Sequence, residues 1–248
     1  MKVIYILWLR QLKRYFRSHS RIIGSLGQPV LFMVALGFGF GPIFKRAGAG
    51  NYMEFLAPGI IAQGILFTSM FSGTEIIWDR QFGFLKETLV APVSRFNIMI
   101  GRTLGGATIA TMQGLIIFLL SLLVGFKPSN IFAVILSLVV MFLMALLFTA
   151  LGTAIASTLD DFQGFQLIMN FLVMPMFFLS GALFPLNGLP GVIDLISHIN
   201  PLTYGVDGLR ASLTGTTHFG LGVDFLVLGI ITSLILSLGS YLFSKIEV

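Results

Sequence analysis

Residues 131–157 read IFAVILSLVVMFLMALLFTALGTAIAS, a stretch without a single Asp, Glu, Lys or Arg. As an α-helix rising about 1.5 Å per residue, it is long enough to cross roughly 30 Å of bilayer hydrocarbon. The same pattern recurs on both sides. Uncharged runs cover Ile22 to Phe44, Phe55 to Thr74 and Thr103 to Phe126 before it, and Phe162 to Ile193 and Phe225 to Ser244 after it. Pro128-Ser129-Asn130 marks the turn that precedes the quoted stretch, and Pro185-Leu186-Asn187-Gly188 ends the helix that starts at Phe162 near Phe184. Six crossings are therefore expected, at about 22–44, 55–74, 103–126, 131–157, 162–184 and 225–244, in one transmembrane domain spanning 1–248. The expected fold class is an all-α membrane protein.

Composition supports this and excludes much else. The 248 residues are 56% hydrophobic and only 10% charged, with a mean hydropathy of +0.96, whereas an average soluble domain is about one-quarter charged. Little chain is left for a separate catalytic domain. With no cysteine there is no disulfide framework, thiolate chemistry or Cys-based metal site. No G-x-x-x-x-G-K-[ST] phosphate loop surrounds any lysine, so the chain is not expected to hydrolyse nucleotide itself. His19, His198 and His218 are far apart and form no H-E-x-x-H pattern, so no metal site is expected. No catalytic residue emerges, and the chain does not read as an enzyme or a nucleic-acid binder.

Ion-driven transport needs ionisable side chains inside the bundle, and the uncharged runs supply none. Their strongest polar groups are Gln28, Gln63, Gln113, Gln166 and Asn170. Gln63, Gln113 and Asn170 are the candidates for a substrate path; an amide can hydrogen-bond a solute or a neighbouring helix but cannot titrate. The energy for transport must then come from elsewhere.

Orientation follows from Lys and Arg, which concentrate in cytoplasmic loops. Lys2, Arg10, Lys13, Arg14, Arg17 and Arg21 precede the first span, Arg80, Lys86, Arg95 and Arg102 follow the second, and Lys245 follows the last. The opposite side has Lys45, Arg46, Lys127 and Arg210, so both termini are expected in the cytoplasm. In residues 3–18, Arg10, Lys13, Arg14 and Arg17 recur at helical steps opposite Ile4, Trp8, Leu12 and Tyr15, the pattern of an interfacial amphipathic helix lying on lipid. The outer segment 186–224 contains Leu202, Val206, Leu209 and Leu213 on one helical face, with Asp207, Arg210 and Thr214 on another. The cytoplasmic loop 75–102 spaces Phe82, Leu85 and Leu89 at i, i+3 and i+7 beside Arg80, Lys86 and Glu87, which is the shape of a docking element. It breaks at Ala91-Pro92, and Ser94 is placed to cap the next helix.

At these residues the chain resembles the ABC-2 type permeases. The likeness rests on Phe55-Leu56-Ala57-Pro58-Gly59, on Trp78-Asp79-Arg80 through Ala91-Pro92-Val93-Ser94-Arg95, on Gly101-Arg102, on Phe178-Leu179-Ser180-Gly181-Ala182-Leu183-Phe184-Pro185, and on Asn200-Pro201-Leu202-Thr203-Tyr204. It is strongest toward the daunorubicin-resistance and nodulation-factor branch. The resemblance implies a six-helix permease half of a cell inner-membrane exporter. Such a half pairs with a second half and with two copies of a separate ATP-binding-cassette subunit that holds ATP and Mg. It further implies that Arg80 to Leu89, including Phe82, Leu85, Lys86, Glu87 and Leu89, form the coupling helix against that ATPase. Short outer helices are implied between Gly191 and Leu213. The expected cargo is an amphiphilic drug-, lipid- or glycolipid-like solute. A membrane scaffold or regulator of the same fold and a passive channel are the alternatives, although a channel should show charged rings that these spans lack. Gly37-x-x-x-Gly41 and Gly101-x-x-x-Gly105 offer close helix approach, between halves or within the chain.

Overall fold

The uncharged runs fold into helices whose ends differ from those of the runs: the first two extend past both ends, while the helices at 131–157 and 162–178 stop short of theirs. The structure is a computed structural model describing residues 2–46, 51–84, 93–129, 131–186, 188 and 190–245. Its elements are α1 (Lys2–Arg17), α2 (His19–Arg46), α3 (Tyr52–Phe71), α4 (Thr74–Gln81), α5 (Arg95–Leu123), α6 (Ile131–Ser157), α7 (Phe162–Phe178), α8 (Gly191–Ile199), α9 (Pro201–Thr214) and α10 (Leu221–Ser244). The described residues contain no strand. Among the described residues five helices are long and apolar enough to cross a membrane: α2, α3 running on into α4, α5, α6 and α10.

Local chemistry sets the starts. The Asn51 side chain accepts from the Met53 N–H at 3.1 Å and opens α3. Ser94 caps α5 through the Asn97 N–H at 3.3 Å, as its place before Arg95 predicts. Asp161 caps α7 through the Gly164 N–H at 2.6 Å. Each satisfies a backbone donor that the first turn leaves unbonded.

α3 is the central post, packed by α2, α5, α6 and α9, while α10 lies on α6 and α9. The end of α3 and the turn after it pass α6 in close backbone contact. A Cβ on Gly152 would strike the Met70 carbonyl, and one on Gly73 would strike the Gly152 carbonyl, so both positions require glycine for close approach. Leu202, Val206, Leu209 and Leu213 form the buried face of α9, each 1% exposed or less. Ile23, Leu31 and Phe38 on α2, Phe171 on α7 and Leu226 and Leu234 on α10 are instead exposed on the outer surface, where apolar side chains suit lipid.

The contacts sort the connections into two ends. One holds the α1–α2 joint, α4 and the α6–α7 turn, where Arg80 meets Leu159. The other holds the start of α3, residues 124–129, 179–186 and 190–220, joined by a Ser129 N–H to Leu213 carbonyl bond of 2.9 Å and a Tyr52 hydroxyl to Leu183 carbonyl bond of 3.2 Å. We call them the basic end and the far end.

α7 is shorter than the expected 162–184 span and stops at Phe178. Its 17 residues reach only about 25 Å. Pro185 does not end it. Gly181 adopts a left-handed conformation with φ of 74°, and the Ser180 hydroxyl donates to the Phe177 carbonyl at 2.7 Å, closing the helix earlier. The chain then turns inward: Ser180 is 1% and Ala182 0% exposed. Irregular backbone at such depth is tolerated because protein surrounds it.

Gly152→Ala should therefore lower the thermal midpoint of the purified protein in nanodiscs, at a cost of about 1–3 kcal/mol from overpacking. Gly229→Ala, whose Cβ meets nothing within 4 Å, should leave the midpoint unchanged or raise it slightly. Equal midpoints for the two variants would contradict the close crossing.

Candidate functional site

At the basic end, α4 places Glu75 and Asp79 one turn apart on a face turned into the protein; Glu75 is 4% and Asp79 2% exposed. Two carboxylates at i and i+4 repel each other. The matching spacing on α1 answers them. Arg10 Nη2 lies 3.1 Å from Asp79 Oδ1, and Arg14 Nη1 lies 3.7 Å from Asp79 Oδ1 and 3.9 Å from Glu75 Oε2. From α5, Arg102 Nη2 reaches Asp79 Oδ2 at 2.6 Å, and this pair is buried on both sides. The arginines of α1 are two-fifths exposed, so their pairs are worth little beside it.

α1 also docks through its apolar face. Leu7, Gln11 and Tyr15 are buried, and Trp8 Nε1 donates to the Thr108 hydroxyl at 3.0 Å. Gly101 and Gly105 of α5 receive Ile4, Leu7 and Gln11, so this glycine pair packs α1 within the chain and is not a contact between two halves. Lys13 and Arg17 remain exposed, whereas Arg10 and Arg14 turn toward α4.

Arg80, expected to touch an ATPase, is engaged inside the chain. Its Nη1 donates to the Leu159 carbonyl at 2.9 Å and its Nη2 to the Ser157 carbonyl at 3.0 Å, and it pairs with Asp160. It thus caps the C-terminus of α6, where unbonded carbonyls and the helix dipole favour a cation. Trp78 stacks on Phe162 with ring centroids 6.1 Å apart. Beyond this brace, Phe82 is 72% and Phe84 48% exposed at the tip. Leu85, Lys86, Glu87 and Leu89 lie outside the described residues.

Of the expected path residues, Gln63 lines a cavity, Gln113 reaches its edge only through Tyr15, and Asn170 lies away from both. Gln63, Gln28, Ser20, Gly24 and Tyr15 line a cavity of about 380 Å³ between the end of α1, the first half of α2 and the second half of α3. Gln113 is fully buried, and its Oε1 accepts from the Tyr15 hydroxyl at 2.7 Å. Asn170 is exposed on α7 and does not line this cavity.

The far end gathers three of the quoted motifs. Arg210 Nη2 donates to the Gly181 and Phe55 carbonyls at 3.0 and 3.3 Å, and its guanidinium lies 4.1 Å from the centre of the Phe55 ring. Burial lowers its pKa to about 10, against an opposing pull from Asp207, so it stays charged at neutral pH. Asn200 donates to the Met176 carbonyl at 2.7 Å and caps α9 through the Leu202 N–H at 3.0 Å. Asp207 accepts from the Thr217 hydroxyl at 2.9 Å and from the His218 and Phe219 N–H groups, each at 2.8 Å.

The cluster of Glu75, Asp79 and Arg102 escaped the sequence reading, which ended one span at Thr74 and began the next at Thr103. A signal existed: Arg10 and Arg14 share the i, i+4 spacing of Glu75 and Asp79. Asp224 was also missed as an interior group; it is 1% exposed in the first turn of α10, beside Gly208. Among the described residues no group of His, Asp and Glu is placed to hold a metal ion.

Long apolar helices, a charged brace at one end and a folded polar cap at the other are those of a multi-pass membrane protein. The ABC-2 type transporter family matches residues 2–214, and the chain belongs to that family. It is similar to the putative transport permease ycf38 of Cyanophora paradoxa, 29% identical over 84% of this chain and 72% of the relative. Nodulation protein J of Rhizobium leguminosarum bv. viciae is 26% identical over 84% of this chain and 82% of its own length. The inner membrane transport permease YadH of Escherichia coli K12 is 26% identical over 89% of each.

Asp79→Ala leaves Arg102 buried without its carboxylate, a loss of about 3–5 kcal/mol for a broken buried pair. Thermal melts should show a large fall in midpoint, and Arg10→Ala a much smaller one. A fall for Arg10→Ala as large as that for Asp79→Ala would overturn this ranking.

Proposed function

We propose that the chain is the membrane half of an ATP-driven exporter in the cell inner membrane, carrying an amphiphilic drug-, lipid- or glycolipid-like solute out of the cytoplasm. The basic end faces the cytoplasm. A separate ABC ATPase, in two copies, holds ATP and Mg, and a second permease half completes the path. The chain's own part is non-catalytic.

One observation carries this reading: the exposed aromatic tip of α4. Phe82, 72% exposed, follows directly on an element braced to α1, α5 and α6, and Phe84 shares a surface pocket with Ile6 and Leu9 of α1, on a chain of the ABC-2 type family. The uncharged spans offer no ion relay, so work must enter mechanically, and a stiff lever with an apolar tip is suited to receive it. Leu85, Lys86, Glu87 and Leu89 extend this contact. Arg80 acts from behind, holding α4 to α6. Gln63 and Gln113 border the solute path, and Asn170 would meet the solute from the face turned to the second half. Lys13 and Arg17 keep α1 at the lipid surface.

The reading is tested by co-purification with a nucleotide-binding ABC subunit. Phe82→Ala should weaken that association about tenfold, the effect of losing a central anchor worth about 1–2 kcal/mol, while membrane insertion stays normal. Parental association in Phe82→Ala and Leu85→Ala would sink the coupling assignment. Cysteines placed at Lys86 and Thr216 should react with an impermeant thiol reagent from opposite sides, and labelling from one side would overturn the orientation.

A further inference from the structure

Gln63 is 1% exposed, and neither its Oε1 nor its Nε2 has a hydrogen-bond partner. Buried polar groups in native proteins are nearly always bonded; other buried atoms such as Gln113 Nε2 and Thr149 Oγ1 also lack a partner, but Gln63 combines a wholly unbonded amide with a place in a cavity wall, where a partner can arrive from outside the chain. The cavity beside it holds about 380 Å³, within the range of about 300–1,000 Å³ common to small-molecule sites.

Its walls have two characters. Gln63, Thr68 and Ser25 supply amide and hydroxyl groups, while Pro29, Phe67 and Phe71 supply apolar surface. No described lining residue is charged. An ionised group entering here would shed its water and find no counter-charge, whereas a hydroxyl or amide would exchange water for donors and acceptors. Ser20, Gly24 and Gln28, at i, i+4 and i+8, form an exposed rim on α2 beside the surface-exposed Ile23. A Cβ on Gly24 would meet nothing within 4 Å, so packing does not require glycine there. Its effect is to widen the mouth.

We propose that this cavity, within a single permease chain, binds the uncharged hydrogen-bonding head of an amphiphile, with the Gln63 amide as its anchor and the opening past Gly24 as its entrance. The assignment deepens the export reading by naming the chemistry of the cargo's head and rests on that reading for its purpose. Binding itself is measurable without the ATPase.

The test uses the full chain in nanodiscs and three dodecyl probes with the same diazirine-bearing tail: a glucoside, a phosphate and a trimethylammonium. Cross-linked peptides are quantified by mass spectrometry. The glucoside should label Ser20–Pro29 and Gln63–Phe71 about tenfold above both charged probes. Gln63→Leu should weaken its binding about tenfold, equivalent to about 1.4 kcal/mol and so to one hydrogen bond. Gly24→Leu should block labelling by filling the mouth. Both variants should melt at or above the parental midpoint, because one removes an unbonded amide and the other improves helix propensity. Equal labelling by all three heads, preference for a charged head, or parental labelling of both variants would overturn the proposal. So would a fall in midpoint for both, which would assign the two residues to packing. Selective glucoside binding that never stimulates a partner ATPase would leave the site standing and remove the export reading instead.

Discussion

The buried Asp79–Arg102 pair is the constraint on which the basic end depends. α4 has only eight residues and continues α3 past the turn at Ser72 and Gly73, so its orientation is set by what it is tied to. Asp79 ties it to α5, Arg10 and Arg14 tie it to α1, and Arg80 ties it to the end of α6. Buried charges give little net stability over apolar residues of the same volume, yet breaking one partner is costly. Such a cluster therefore works best as a rigid joint. On the export reading this is the property a lever needs: a push on Phe82 cannot bend α4 locally without stranding a carboxylate among arginines. The displacement passes to three helices together.

The far end is organised by the same physics with different groups. Arg210 reaches across to the carbonyls of Phe55 and Gly181, which draws the non-helical turn after α7 into the protein. α7 is shortened to make room for that turn, and its last carbonyls are met by Ser180 and Asn200. Asp207 gathers the N–H groups of His218 and Phe219, so the connection from α9 to α10 is fixed although it contains no regular structure. The separated motifs Phe55–Gly59, Phe178–Pro185 and Asn200–Tyr204 are parts of one assembly.

What was legible in the sequence follows from dimension. Crossing a bilayer is a one-dimensional demand on hydropathy, so the long helices could be read from runs of uncharged residues, and the face of Leu202, Val206, Leu209 and Leu213 from its period. Helix ends set by one conformation were less readable: Pro185 looked like the stop for α7, but Gly181 and Ser180 stop it first. Partners were the least readable. Arg10, Arg14 and Arg80 looked like charges facing lipid or another subunit, because nothing local says that Glu75, Asp79 and the end of α6 lie opposite them. The cavity was half legible. Gln63 and Gln113 stood out as amides in apolar runs, but only the packing of α1, α2 and α3 separates the one bonded to Tyr15 at its Oε1 from the one left unbonded.

That separation divides the labour of the chain. Asp79, Arg80, Arg102, Asp207 and Arg210 at the two ends are paired or capping, and they hold elements in place. In the membrane-length interior the polar groups are neutral, and Gln63, beside an open cavity, is unsatisfied. An orphaned amide in an apolar surround lowers stability, and the simplest remedy, an aliphatic side chain of similar size, would fit α3 without disturbing its helix. Its presence is then better accounted for by what enters the cavity than by the fold around it. A neutral anchor also suits a carrier: it binds with a bond or two and releases when the helices shift, whereas a buried charge would hold an opposite charge too firmly to let it go.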